Sequence, residues 1–179
     1  MQPEDIEALA RAGRKRHLYA PAPAHAVDLG RTQVEQLLPH RDPFLFVDRI
    51  TAVDLGARGP AIEARRHIDP ADPVFVGHFP DHPIVPGVLL LETMGQAALA
   101  LLALLRNGRP TVERTDTPRA ARGLKIHHTV FVAEVRPGDA LRVLSTVVEV
   151  DDFTGTCAGQ IVRGEEICCF GLMEVYFVE

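Results

Sequence analysis

The sequence predicts an α+β domain in which an antiparallel sheet wraps one long apolar helix. Three observations carry this expectation. Residues 84–105 are an apolar run that no other part of the chain matches. Two β-like segments precede that run. Three or four further β-rich segments follow it, separated by short turns.

The chain has 179 residues, enough for one domain on the usual ~100–200 residues per domain. Hydrophobic residues make up 46% and charged residues 24%, which excludes wholesale disorder. A net charge of −5 argues against non-specific nucleic-acid binding. The three cysteines, Cys157, Cys168 and Cys169, match no zinc spacing and no disulfide framework, so a reducing, cytoplasmic setting is expected. Residues 1–20 carry three acids and four bases without an apolar core, so no secretory signal is read there. A membrane span over residues 84–105 is disfavoured by Glu92 and Gln96 inside it. A carboxylate at mid-bilayer costs about 2.5–3.5 kcal/mol, and a buried core helix explains the run better.

Taken in order, residues 4–15 read as a polar helix, and the prolines after Tyr19 as an extended linker. Residues 1–30 are therefore expected to be an extension, and residues 31–179 the main domain. A short helix is expected over residues 32–38, stopped by Pro39. Residues 44–54 and 61–68 then read as paired strands, with Gly56, Gly59 and Pro60 between them. The Pro- and Gly-rich residues 69–87 cannot form regular structure. They lead into the helix of residues 88–105, about 27 Å long at ~1.5 Å per residue, which Asn107, Gly108 and Pro110 end. Strands are expected over residues 124–135, 140–150, 154–162 and 167–178. Charge is uneven: residues 106–133 hold six bases against two acids, and residues 134–179 three bases against nine acids. The basic stretch is either a solvated connector or a docking surface for an acidic partner.

The chemistry concentrates between Gly77 and Glu92. Gly77-His78-Phe79-Pro80-Asp81-His82-Pro83-Ile84-Val85-Pro86-Gly87 holds three prolines and two glycines in eleven residues, so its backbone is constrained and open to close approach. Glu92 follows His78 by 14 residues, on the second turn of the apolar helix. A buried glutamate is rarely placed for packing alone, and Gln96, one turn on, is positioned to hold it. Gly87 falls where the helix begins, so its N–H is one of the unpaired donors at the positive end of the dipole. A histidine, a carboxylate and a helix-start N–H together describe an acid–base site with an oxyanion donor. The sequence contains no nucleophile elbow, phosphate-binding loop, dinucleotide fingerprint or zinc-protease motif. His127 and His128 lack acidic ligands at useful spacing, and no metal site is expected.

The stretch Leu37-Leu38-Pro39-His40-Arg41-Asp42-Pro43-Phe44-Leu45-Phe46-Val47-Asp48-Arg49 closely resembles the opening motif of the β-hydroxyacyl-(acyl-carrier-protein) dehydratases, the FabA/FabZ family, and particularly its FabZ branch. Gly77 through Glu92, continuing to Met94-Gly95-Gln96-Ala97-Ala98, looks like that family's active-site signature. Val135-Arg136-Pro137-Gly138-Asp139 is similar to its later strand-turn motif. The resemblance spans residues 31–179.

The resemblance implies a hot-dog fold and a homodimer or trimer of dimers, with each active site shared between subunits. It implies His78 as the base at C2 of a 3-hydroxyacyl thioester and Glu92 of the partner chain as the acid that protonates the departing hydroxyl. The Gly87 N–H would bind the thioester oxygen, with Gln96, Phe79 and Pro86 in support. No cofactor is implied, because the thioester itself delocalises the charge. Glu92, where the FabA branch has Asp, favours simple dehydration to the trans-2-enoyl thioester, in fatty-acid or polyketide-type synthesis. The substrate would be carried on acyl carrier protein or coenzyme A. Phe131-Val132-Ala133-Glu134 stands where the family has a basic, carrier-facing stretch, which leaves Arg119, Arg122 and Lys125 as candidates for carrier docking. The alternatives are a hot-dog thioesterase, which would release free acid, and a non-catalytic acyl-binding or assembly subunit.

Overall fold

A computed structural model describes residues 2–18, 25–56 and 59–178. The elements run α1 (Pro3–Gly13), β1 (His25–Leu29), α2 (Arg31–Leu37), β2 (Arg49–Asp54), β3 (Ala61–His67), α3 (Gly87–Asn107), β4 (Ala121–Phe131), β5 (Ala140–Val150), β6 (Thr154–Arg163) and β7 (Glu166–Phe177). The seven strands form one sheet in the order β1-β2-β3-β5-β6-β7-β4, with every neighbouring pair antiparallel.

Helix α3 lies against the inner face of that sheet. Leu90, Met94, Ala97, Leu101 and Leu104 are buried, and they share one core with Ile50, Ile62, Val143 and Ile161 from the strands. The helix can approach because two strands carry glycine under Met94. A Cβ on Gly159 would lie 2.8 Å from the Met94 Cβ, and one on Gly171 2.9 Å from its terminal methyl. Gly108 ends α3 in the left-handed conformation (φ 66°) and donates its N–H to the Leu105 carbonyl. Length and apolarity alone would let α3 cross a membrane, but most of it is buried in the protein core.

Four sequence expectations meet a different outcome. The strand expected from residue 44 begins only at Arg49, because a side chain takes up the backbone groups that a neighbouring strand would have paired. The Phe46 N–H donates to Gln96 Oε1 (2.7 Å), and Gln96 Nε2 donates to the Phe44 carbonyl (2.9 Å). The strand expected over residues 124–135 runs instead over Ala121–Phe131. Beyond it the N–H groups of Val132 and Ala133 both converge on the Cys168 carbonyl, which ends the regular ladder. Residues 69–87 include one 3₁₀ turn, Pro73–Val76, capped by the Asp72 carboxylate on the Val74 N–H (2.9 Å). Finally, β1, where no strand was expected, is an additional edge strand on β2.

The linker expected after Tyr19 lies outside the described residues. Helix α1 packs on the outer face of the sheet, where Ile6, Leu9 and Ala10 meet Phe170 and Leu172. The Phe170 ring occupies the place a Cβ on Gly13 would need, 2.2 Å away. The fully buried Gln160 fastens the segment: its Nε2 donates to the carbonyls of Gly13 (2.6 Å) and Arg16 (2.9 Å), and its Oε1 accepts from the Leu18 N–H (2.8 Å).

Candidate active site

His78 sits in a tight loop whose backbone closes on itself. The Ile84 N–H donates to the His78 carbonyl (3.0 Å), and Phe79 and His82 exchange N–H···O=C bonds of 3.2 and 3.1 Å. The imidazole Nδ1 lies 2.9 Å from the Ile84 carbonyl oxygen. A carbonyl can only accept, so Nδ1 carries the proton and Nε2 presents a lone pair. The Phe79 ring stacks on the imidazole at a centroid distance of 4.1 Å. Val85 continues the loop and donates its N–H to the Val135 carbonyl (2.8 Å), tying it to the segment after β4. His82 Nε2 adds a second tie, 3.0 Å from Glu134 Oε1. The Glu134 carboxyl is held below its ordinary range by His82 first and by Arg136 second.

Pro86 and Gly87 bring this loop to the start of α3. The Gly87 N–H makes no hydrogen bond among the described residues, as expected for the first residue of a helix. A Cβ at Gly87 would strike the Phe131 ring at 2.7 Å, so the ring packs directly on the glycine backbone and would have to move for any side chain there. His78, Ile84, Pro86, Gly87, Val88 and Phe131 thus line one cleft of about 590 Å³.

Glu92 opens into a different cleft, of about 450 Å³, with His40, Leu91, Gly95, Leu99 and Lys125 among its walls. The exposed Val88 borders both. The sequence led to a buried carboxylate, but the Glu92 side chain is 34% exposed, because one side of it meets the cleft. Its Oε1 accepts from Gln96 Nε2 at 2.9 Å and lies 3.4 Å from His40 Nε2. Gln96 is fully buried, and its remaining bonds to Phe44 and Phe46 fix which way its amide faces. Within one chain, then, His78 and Gly87 share a cleft, whereas Glu92 faces another.

Two residues near Glu92 were not singled out from sequence. His40 was visible only as part of a motif, with no signal tying it to Glu92. Arg66 is almost completely buried beneath α3, where its guanidinium bonds Thr93 Oγ1, reaches the Leu89 carbonyl (3.4 Å) and lies 4.3 Å over the Phe46 ring. Burial lowers its pKa. An alternating strand pattern gives no hint that this arginine points inward.

The three carrier-docking candidates sit in different surroundings. Lys125 is exposed and lines the Glu92 cleft. Arg122 is exposed on β4 opposite Tyr176. Arg119 is engaged instead: it lies 4.1 Å over the Phe177 ring and donates to the Asp152 carbonyl (3.0 Å). It helps to close a third, mostly apolar hollow of about 230 Å³, lined by Leu99, Leu102, Ala103, Ala121 and Phe177. Leu99 and Ala121 are walls of both this hollow and the Glu92 cleft. No cluster of side chains able to hold a metal ion occurs among the described residues.

Comparison with known proteins adds to this geometry. The model of the FabA-like domain family matches residues 38–168. The 3-hydroxyacyl-(acyl-carrier-protein) dehydratase FabZ of Chlamydia muridarum is 36% identical over 151 residues, covering 84% of this chain and 94% of that protein. The FabZ of Alkaliphilus metalliredigens is 33% identical over 144 residues, 80% of this chain and 90% of its own. Among solved structures, a chain of the dehydratase heterocomplex ApeI:P from Xenorhabdus doucetiae superposes with a TM-score of 0.65. It is 17% identical and covers 82% of this chain and 91% of its own, a likeness of hot-dog fold.

Proposed function

The chain belongs to the FabA-like family, and from that premise we propose how its residues divide the work of dehydrating a 3-hydroxyacyl thioester. The reaction removes a proton from C2 and hydroxide from C3, leaving a trans-2-enoyl thioester and water. His78 Nε2 takes the C2 proton, since its Nδ1 is already committed to Ile84. The electrons left at C2 delocalise onto the thioester oxygen, where the Gly87 N–H at the positive end of α3 receives the growing charge. A protonated Glu92 then gives its proton to the departing hydroxyl, so that water leaves. The observation that carries this reading is the shared cleft: an imidazole with its lone pair free and an unpaired helix-start N–H face one space.

Glu92 comes from a second copy of the chain. Its opening into the other cleft within one chain supports that arrangement, and so does the sheet edge. Strand β4 is the last strand of the sheet and carries exposed Leu124 and Ile126, close in the fold to the exposed Val88. An apolar, unpaired edge of this kind calls for a partner. Pairing two copies there would set the His78 cleft of one beside the Glu92 cleft of the other.

The acyl chain would run from Glu92 along α3, past Leu99, into the hollow closed by Phe177 and Arg119. The thioester is carried on acyl carrier protein, with exposed Arg122 and Lys125 meeting the acidic carrier. Arg119 belongs to the acyl path instead. A reducing cytoplasmic setting suits the three buried, unpaired cysteines.

Mass spectrometry of 3-hydroxyacyl thioesters incubated with the protein tests the reaction directly. Loss of one water with the thioester intact is expected, faster on carrier protein than on coenzyme A. Release of free acid would point to hydrolysis and overturn the reading.

A further inference from the structure

Resting on the assignment of Glu92 as the acid, we propose that His40 is a positioning residue which, with Gln96, confines the transferable proton of Glu92 to one oxygen, Oε2. Both polar side chains that approach the carboxyl group address the same atom. Gln96 Nε2 is 2.9 Å and His40 Nε2 3.4 Å from Oε1, while Oε2 has no partner among the described residues.

The direction of each contact follows from what surrounds it. The amide of Gln96 cannot flip, because its Oε1 accepts from the Phe46 N–H and its Nε2 donates to the Phe44 carbonyl. A flip would set donor against donor and acceptor against acceptor. Gln96 therefore donates to Glu92.

His40 is read from its other nitrogen. Nδ1 is buried and has no hydrogen-bond partner among the described residues. A proton there would leave a buried donor unmet. The tautomer that fits carries its proton on Nε2, the nitrogen that lies 3.4 Å from Glu92 Oε1. The backbone that carries the ring is fixed by its neighbour. Arg41 Nη1 donates to the carbonyls of Leu38 (2.9 Å) and His40 (2.6 Å), and the Phe44 ring lies 6.4 Å from the imidazole.

Two donors on Oε1 make it the carbonyl oxygen of the protonated acid, so the O–H resides on Oε2. That is the form a general acid needs at the moment of transfer. Once the proton has gone, the same two donors hold the carboxylate in place for reprotonation. A distance of 3.4 Å is long for such a bond, and contacts of this kind tighten when substrate is bound. His40 thus acts through Glu92 and does not itself exchange protons with substrate.

The test compares His40→Gln, His40→Asn and His40→Ala with Glu92→Gln. A glutamine places its amide N–H where imidazole Nε2 stands, whereas an asparagine reaches only as far as Nδ1. The expectation is that His40→Ala and His40→Asn lose about 10- to 100-fold in kcat with little change in KM, and that His40→Gln recovers to within a few-fold of wild type. Wild-type kcat in His40→Asn, or equal losses in the Gln and Asn variants, overturns the inference. The Gln–Asn pair carries the comparison should His40→Ala fail to fold. If Glu92→Gln is inactive while the His40 variants are unimpaired, this inference alone fails. If Glu92→Gln itself turns over normally, the acid assignment fails and takes this inference with it.

Discussion

The Nδ1 of His78 lies 2.9 Å from the carbonyl oxygen of Ile84, six residues further along the same loop. That contact sets the tautomer of the imidazole, because only a protonated Nδ1 can satisfy a carbonyl. The prolines and glycines around His78 matter because they close the loop tightly enough to make the contact.

Replacing His78 with alanine is expected to lower kcat/KM by about 10²–10⁴-fold, the range of one general base. The thermal midpoint should change little, since the imidazole is only half-buried. Steady-state kinetics and a melting curve check both halves of this expectation. A loss of activity that tracks a loss of folding would remove the catalytic interpretation.

At Gly87, an added Cβ would meet the Phe131 ring at 2.7 Å. Phe131 is half-exposed and can swing aside, so Gly87→Ala should cost no more than about 1 kcal/mol of stability. Its effect should fall on kcat, by about 10-fold or more, because the proposed oxyanion donor and the cleft wall move together. Adding Phe131→Leu should restore part of the rate. No recovery in the double variant would mean that the ring is not the cause.

The long helix was legible in the sequence because its apolar run and its Asn107-Gly108 stop are local signals. So were β5 and β6, bounded by short turns. The missing strand over residues 44–48 was not legible, since the bonds that replace it come from Gln96, some fifty positions away. Short β1 lies beside a proline-rich stretch that hid it. The candidate site residues were singled out through motif spacing, but that His78 and Glu92 line separate clefts, both bordered by Val88, comes from the fold. Spacing holds no record of that. Arg119 reads from sequence as a candidate for carrier docking, and only the fold brings Phe177 and Asp152 to it.

Gln160 makes three hydrogen bonds to residues 13–18 from a fully buried position. Gln160→Ala would strand two carbonyls and an N–H at about 1–3 kcal/mol for a group left unmet, so a net loss of about 2–4 kcal/mol is expected. Hydrogen exchange should rise first in α1, with dehydration largely kept in the folded protein. Unchanged protection of α1 would show that Phe170 packing alone holds it.

Burial pushes the thiols of Cys157 and Cys169 up to about 12, and that of Cys168 upward as well. The native protein should therefore resist iodoacetamide at pH 8 and react fully once unfolded. A thiol raised in the folded state favours folding below its unfolded pKa and opposes it above, so stability should fall as pH rises beyond about 8.5. Mass spectrometry counts the labelled cysteines, and labelling of either Cys157 or Cys169 without unfolding would contradict the burial.

Ala121 stands where the Glu92 cleft meets the hollow under Phe177. Ala121→Phe should block that passage, lowering kcat/KM for long-chain 3-hydroxyacyl thioesters by about 10-fold or more while sparing short ones. A chain-length profile identical to wild type would place the acyl chain elsewhere.

The most direct test of a site shared between two copies is complementation. His78→Ala and Glu92→Gln chains, each inactive alone, are mixed and allowed to exchange, with native mass spectrometry recording the heterodimer. Random pairing gives one intact site in half of the dimers, so about a quarter of wild-type activity should return. Demonstrated exchange without any return of activity would contradict the shared site.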